Sequence, residues 1–252
     1  IDQTQRTATT ETVVWATADK FLRHVVEETE YGDYILPFTV LRRLECLLAD
    51  TKTELIGVVD KLVAKDTPVR FIDAEVKRRF GLSFYNTSPL SLGAIAATDD
   101  HVEASLIDYT AGFSHNIADI WSAFEFPRLV KKLADANTLH QVIRHFSTLD
   151  LSAESMPNTA MGDLFENVMY RAFDKKGKAA GAFYTPRDAI KLMVDLLFAA
   201  DEESLTGQNT TRSIYDPTAG SGGMLLVGKD HLTELNPNIE VNLFGQELMD
   251  SA

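Results

Sequence analysis

Between Arg212 and Leu248 the chain runs as a short apolar segment ending in an acid, RSIYDP, a tight TAGSGG turn, a helical MLLVGKDHLTEL and a second apolar segment, IEVNLFGQEL. No other stretch restricts the fold as much. A strand, a glycine turn and a helix can return to a second strand of the same sheet only by a crossover, which makes the strands parallel. The pattern therefore predicts the opening βαβ of a doubly wound nucleotide-binding sheet, with ligands at the carboxyl ends of the strands. Glycine lets backbone approach a ligand with no Cβ in the way. Asp216 stands just before the turn, Glu247 ends the second strand, and the Thr185-Pro186 pair opens the preceding helix.

Several ligands are compatible with a lone glycine turn, and so is a plain strand-to-helix connection. A phosphate-binding loop is suggested by GMLLVGKD from Gly223, which fits GxxxxGK. However, Asp230 stands where a hydroxyl should follow Lys229, and MLLV belongs in a helix interior. A dinucleotide site would place Glu247 on ribose hydroxyls, but Leu225 occupies the position of the third glycine in G-x-G-x-x-G. An adenosine ligand without a pyrophosphate meets these objections. Glu247 can take two ribose hydroxyls, Asp216 can reach an ammonium directly or through water, and N–H groups of the loop and of the Thr185 turn can receive a carboxylate. S-adenosylmethionine combines those three groups.

The first 150 residues carry helical periodicity throughout. TVVWATADKFLRHVVEE sets Val14, Ala18, Phe21, Leu22 and Val25 on one stripe. ILPFTVLRRLECLLAD follows a YGDY turn, with Pro37 expected in the helix's first turn. Shorter helices are expected over 53–65, 72–81, 101–113, 116–126, 126–136 and 137–147, with no strand among them. The polar STLDLSAESMPNT marks a boundary, after which TAMGDLFENVMYRAF predicts a helix burying Met161, Leu164, Phe165, Val168, Met169 and Phe173. The expected organisation is a helical domain over 1–150 and a second domain over 151–252.

Net charge is −13, and neither part is basic: 16 basic and 22 acidic groups precede residue 151, and 8 and 15 follow. Charge alone argues against a nucleic-acid binder, whose affinity comes largely from phosphate neutralisation. Lone Cys46 has no disulfide partner, the N-terminus lacks a signal-peptide pattern, and no apolar run reaches membrane-spanning length. A soluble cytoplasmic protein is expected. The six histidines offer no metal-binding pair, and no G-x-S-x-G frame surrounds a serine.

Taken in order, GAFYTPR resembles motif X of the adenine-modifying amino-methyltransferases, DPTAGSGGML their motif I, and FGQEL their motif II. With the helical region in front, the chain resembles the modification (M) subunit of a type I restriction–modification system over nearly its whole length. The resemblance implies an α N-terminal helical domain followed by the start of an α/β Rossmann-like S-adenosylmethionine-dependent methyltransferase domain, and methyl transfer to adenine N6 of duplex DNA. It implies that Asp216, Gly220, Ser221, Gly222 and Gly223 line the cofactor, with Glu247 on its ribose. Ala182, Phe183, Tyr184, Thr185, Pro186 and Arg187 would contact or shape the methionine end. Phe183 and Tyr184 also read as core aromatics, and Arg187 as a solvated first-turn residue. Implied partners are a specificity subunit, a restriction subunit, a second M subunit and duplex DNA with a flipped adenine, which explains an acidic chain.

The sequence departs from that family in two respects: no Asn/Asp-Pro-Pro-aromatic motif occurs, and the residue that grips the cofactor's adenine after a third strand is absent too. In the family the Asn/Asp-Pro-Pro-aromatic motif holds the flipped adenine and makes N6 more nucleophilic, so no catalytic residue is assigned here. Two strands leave a sheet edge and a helix face uncovered, and the sequence is expected to be part of a longer protein, inactive by itself. The basic KRR at 77–79 and KKGK at 175–178 are candidates for phosphate contact or simply solvated surface. A non-catalytic helical scaffold with a structural βαβ unit, and a nicotinamide-dependent dehydrogenase, are the competing functions.

Overall fold

The computed structural model describes residues 3–175, 185, 187–199, 205, 207 and 210–248. The chain divides into two compact units, Ile1–Ala172 and Phe173–Ala252.

The first unit is helical. Helices α1 (Gln3–Thr17), α2 (Tyr31–Leu48), α3 (Lys52–Val63), α4 (Val69–Phe80), α5 (Leu92–Ala96), α6 (Val102–Ala111), α7 (His115–Ala123), α8 (Phe126–Asp135), α9 (Leu139–Ser147) and α10 (Asn158–Lys175) follow one another. Among the described residues of this unit, strand pairing is confined to an isolated bridge between Asn86 and Phe113. Local chemistry sets many of the ends. The Ser91 hydroxyl accepts from the Ala94 N–H at the start of α5. Gly81, at φ 69°, closes α4, whose last turn carries Lys77, Arg78 and Arg79 against the negative helix end.

Two local expectations are corrected. The stripe through Val14, Ala18 and Leu22 is buried, but the helix carrying it does not run unbroken to Glu28: after Thr17 it widens into a π-helical turn over Ala18–Leu22. Pro37 does not stand in a first turn, because YGDY is itself helical and α2 begins at Tyr31. The bond that proline cannot donate would end on the carbonyl of Asp33, an exposed residue within reach of water.

Helix α2 is the axis of the core. Phe38, fully buried, meets Phe126 of α8 at 5.3 Å and Phe146 of α9 at 5.5 Å between ring centroids. Trp121, Phe113 and Tyr109 continue the aromatic chain. Polar groups run through the same interior. Glu45 accepts from Arg42 at 2.5 Å and from the Leu92 N–H at 2.6 Å, with the Tyr109 hydroxyl at 3.4 Å. Burial first, and then the Glu45 charge, push the Tyr109 phenol far above its ordinary range. Arg43, buried, donates to the carbonyls of Leu151 (2.6 Å) and Met156 (2.7 Å) and to Asn158 Oδ1 (2.8 Å). Those three acceptors bracket the link that leads into α10.

Helix α10 packs with the helical unit. It buries Met161, Leu164 and Val168 as the periodicity predicts, with Phe165 and Met169 half-buried and the Phe173 side chain outside the described residues. Arg171 lies 4.6 Å from the centroid of the Trp15 ring and 3.6 Å from Glu11 on α1. On α2, a Cβ at Gly32 would lie 2.3 Å from that of Ala172. Gly32→Ala is therefore expected to destabilise the unit by about 1–3 kcal/mol, the usual range for overpacking. Gly57→Ala is the contrasting substitution. It lies inside α3 with nothing within 4 Å of a new Cβ, so it is expected to stabilise by about 0.5–1 kcal/mol through helix propensity. Urea denaturation midpoints read both signs.

The second unit is smaller. Helix α11 (Arg187–Phe198) precedes strand β1 (Thr211–Asp216), helix α12 (Gly223–Leu235) and strand β2 (Glu240–Gly245). The strands pair in parallel, Thr211 with Glu240 through Asp216 with Gly245, as the βαβ pattern requires. Ile214, Leu225 and Leu232 are buried together with Leu205, and Phe198, Val241 and Leu243 pack against them. The opposite sheet face is exposed at Tyr215 and Phe244, and α11 exposes Leu192, Met193, Leu196 and Leu197.

Candidate functional site

Backbone bonding between the two strands' ends runs one residue past β2. The Gln246 N–H donates to the Asp216 carbonyl at 2.9 Å, and the Ala219 N–H donates to the Gln246 carbonyl at 2.9 Å, so the end of β2 is laced to the turn that leaves β1. Gly245 eases this approach, since a Cβ there would lie 3.0 Å from that of Ala219 and 3.2 Å from Leu225 Cδ1, tighter than ordinary contact. The turn has its own internal order. Asp216 Oδ1 accepts from the Thr218 N–H at 3.0 Å, and the Gly222 N–H donates to the Ala219 carbonyl at 2.7 Å.

Gly220 and Gly222 hold φ of 51° and 79°, a region disfavoured for residues with a Cβ, and nothing lies within 4 Å of where a Cβ would stand at either. The glycines are needed for backbone shape and leave an open cradle. Gly222 then caps α12, whose start has no side-chain cap, so a helix N-terminus with its positive end opens at the turn.

Glu247 does not end the second strand as the pattern predicts, because β2 stops at Gly245, but from two residues further on it meets this cradle directly. Its Oε2 accepts from the Gly220 N–H at 2.8 Å and its Oε1 from the Leu248 N–H at 2.8 Å. Asp216, Gly220, Ser221, Gly222, Gly223 and Glu247 are thus gathered at one end of the strand pair. Of the other predicted residues, Thr185 is exposed and Arg187 opens α11, half-buried. Burial, followed by the charge of Glu234, raises the Asp230 carboxyl on α12, and Lys229 and Arg187 partly offset that rise. Ala182, Phe183, Tyr184 and Pro186 lie outside the described residues.

Two residues that sequence reasoning passed over belong beside this group. The Tyr215 hydroxyl donates to Gln246 Oε1 at 2.8 Å. The available signal was register: Tyr215 faces Phe244 across the sheet, which sets it on the same face as residue 246, two positions on.

The competing ligands can be judged from the same geometry. The GxxxxGK match lies inside α12, where a Cβ at Gly228 would stand 3.0 Å from Ile214 Cδ1. That glycine serves helix-on-strand packing, with no phosphate cradle around it. Leu225, in the third-glycine position of a dinucleotide motif, is buried against the strands. Among the described residues, no group of three or more metal-ligating side chains converges and no helix is long and apolar enough to cross a membrane. Of the KRR segment, Arg78 pairs with Glu75 at 2.6 Å and Arg79 with Glu54. Residues 176–178 of the KKGK segment lie outside the described residues.

Comparison with known proteins adds two family matches. Residues 10–146 match the HsdM N-terminal domain, and residues 157–252 match the N-6 DNA Methylase family. The chain is similar to the type I restriction enzyme MjaIX methylase subunit of Methanocaldococcus jannaschii, 26% identical over 98% of this chain and 44% of that protein. It is also similar to the EcoEI methylase subunit of Escherichia coli, 27% identical over 59% of this chain and 29% of that protein. With the HindI methylase subunit of Haemophilus influenzae it shares 31% identity over 34% of this chain and 18% of that protein. The chain spans less than half the length of these curated relatives.

Proposed function

The chain belongs to the HsdM N-terminal domain family, that of type I restriction–modification methylase subunits, and from this premise we propose that its full gene product methylates adenine N6 in duplex DNA with S-adenosylmethionine. In this reading residues 151–252 begin a Rossmann-like methyltransferase domain, and the helical residues 1–150 serve assembly and DNA clamping.

One observation carries the reading: a strand-end carboxylate, a cradle of positive-φ glycines and an uncapped helix start converge at the carboxyl end of a parallel strand pair. The open space over Gly220 and Gly222 fits a ligand that lies against backbone. Glu247 would take the ribose hydroxyls, Asp216 the ammonium, and the N–H groups at the start of α12 the carboxylate. When bound, the cofactor supplies an electrophilic methyl group on a sulfonium. This chain's part is to grip and orient it. Thr185 and Arg187, with Ala182, Phe183, Tyr184 and Pro186, are assigned the methionine end. Since the sequence holds no Asn/Asp-Pro-Pro-aromatic, none of its residues is assigned to the flipped adenine.

The partners proposed are the specificity and restriction subunits of the same system, a second M subunit and the DNA, in the cytoplasm. A specificity subunit that reads the sequence accounts for a net charge of −13 on a DNA-modifying chain. Calorimetric titration of the full gene product with S-adenosylmethionine, alongside a nicotinamide dinucleotide, tests the proposal. Saturable binding of the first and none of the second is expected. Absence of binding by S-adenosylmethionine overturns it.

A further inference from the structure

We infer that Tyr215 and Gln246 form a pin that aims Glu247 at the glycine cradle, and are positioning residues for the cofactor; the inference rests on the reading of the site given above. The pleat sets the geometry. Along paired parallel strands, successive side chains point to opposite faces. Tyr215 and Phe244 are register partners on the exposed face, whereas Ile214 and Leu243 belong to the core under α12. Just past the strand both backbone groups of Gln246 are tied to the β1 side, its N–H to the Asp216 carbonyl and its carbonyl to the Ala219 N–H. Its side chain meets the Tyr215 hydroxyl at 2.8 Å, which sets it on the face of Tyr215 and Phe244. The next side chain, Glu247, meets the Gly220 N–H in the turn that leads into α12.

The need for a pin comes from Gly245. A Cβ at Gly245 would press on Ala219 and Leu225, which would have to give by a few tenths of an ångström, and glycine is the most conformationally free residue the backbone can hold there. The pairing of Gly245 with Asp216 and the two backbone bonds of Gln246 hold the main chain. The Tyr215–Gln246 bond adds a side-chain tie to them, narrowing the directions in which residue 247 can leave the strand pair. Neither side chain needs to touch the ligand for this.

Tyr215 is 59% exposed, so removing its hydroxyl does little to the fold, and Tyr215→Phe reports on positioning. The test compares wild type, Tyr215→Phe, Gln246→Ala and the double variant in the full gene product, by calorimetric titration with S-adenosylmethionine and by thermal unfolding. Each single change is expected to weaken binding about fivefold, the worth of one hydrogen bond. The double variant should bind no more weakly than either single, since both remove the same contact, and unfolding midpoints should stay at the wild-type value. Wild-type affinity in the singles, or losses that multiply in the double, overturns the pin while leaving the cofactor reading intact. Failure of the wild-type protein to bind overturns the cofactor reading and the pin with it.

Discussion

Glu247→Ala in the full gene product is expected to weaken S-adenosylmethionine binding about 100-fold while leaving thermal stability unchanged. The magnitude follows from two ribose hydroxyls donating to one charged acceptor, at roughly 1.5 kcal/mol each. The fold is spared because Glu247 is exposed, and the Gly220 and Leu248 N–H groups that it now accepts from can turn to water. Glu247→Gln separates charge from shape. It keeps one acceptor oxygen, so its loss should fall between wild type and alanine. Calorimetry reads the affinities, and an alanine variant with wild-type affinity would remove the strongest support for the proposed cofactor.

The largest effect expected on stability comes from a residue far from that site in sequence. Arg43→Ala removes three donated hydrogen bonds at once and strands the carbonyls of the buried Leu151 and Met156, while the exposed Asn158 side chain can turn to water. Burial already disfavours the Arg43 charge, lowering its pKa from the usual value. Deleting the cation therefore returns part of its desolvation cost. What remains is the penalty of unsatisfied buried acceptors at about 1–3 kcal/mol each, for a net loss of about 3 kcal/mol. Arg43→Lys should recover only part of it, because an ammonium cannot reproduce the guanidinium fork. Urea denaturation measures the loss, and hydrogen exchange should show amides 151–158 opening first.

Periodicity and register made much of this protein readable. Val14, Ala18 and Leu22 are buried at the spacing that predicts them, and Asp216 and Glu247 come to the same end of the strand pair because a βαβ crossover brings the ends of both strands together. Where a residue's partner came from a stretch without period, the sequence was silent. Nothing in VLRRLECLL singles out Arg43, because its acceptors come from the irregular link at 151–158. Gly32 in YGDY reads as a turn glycine, and Pro37 as a first-turn residue. Both are inside α2, since Gly32 answers to contact with Ala172, which no local pattern reveals. Tyr215 and Gln246 were missed for a related reason, since a motif identifies residue types and not which face of an extended strand each one takes.

The meeting of Gly32 with Ala172 also bears on how these proteins can be recombined. The methylase family match starts at residue 157, but α10 is seated in the helical unit as far as Ala172. The seam that ancestry draws and the seam that packing draws are therefore different places. A hybrid spliced near residue 150 would hand one parent's helix to the other parent's socket, whereas a splice after Ala172 would keep tenant and socket together.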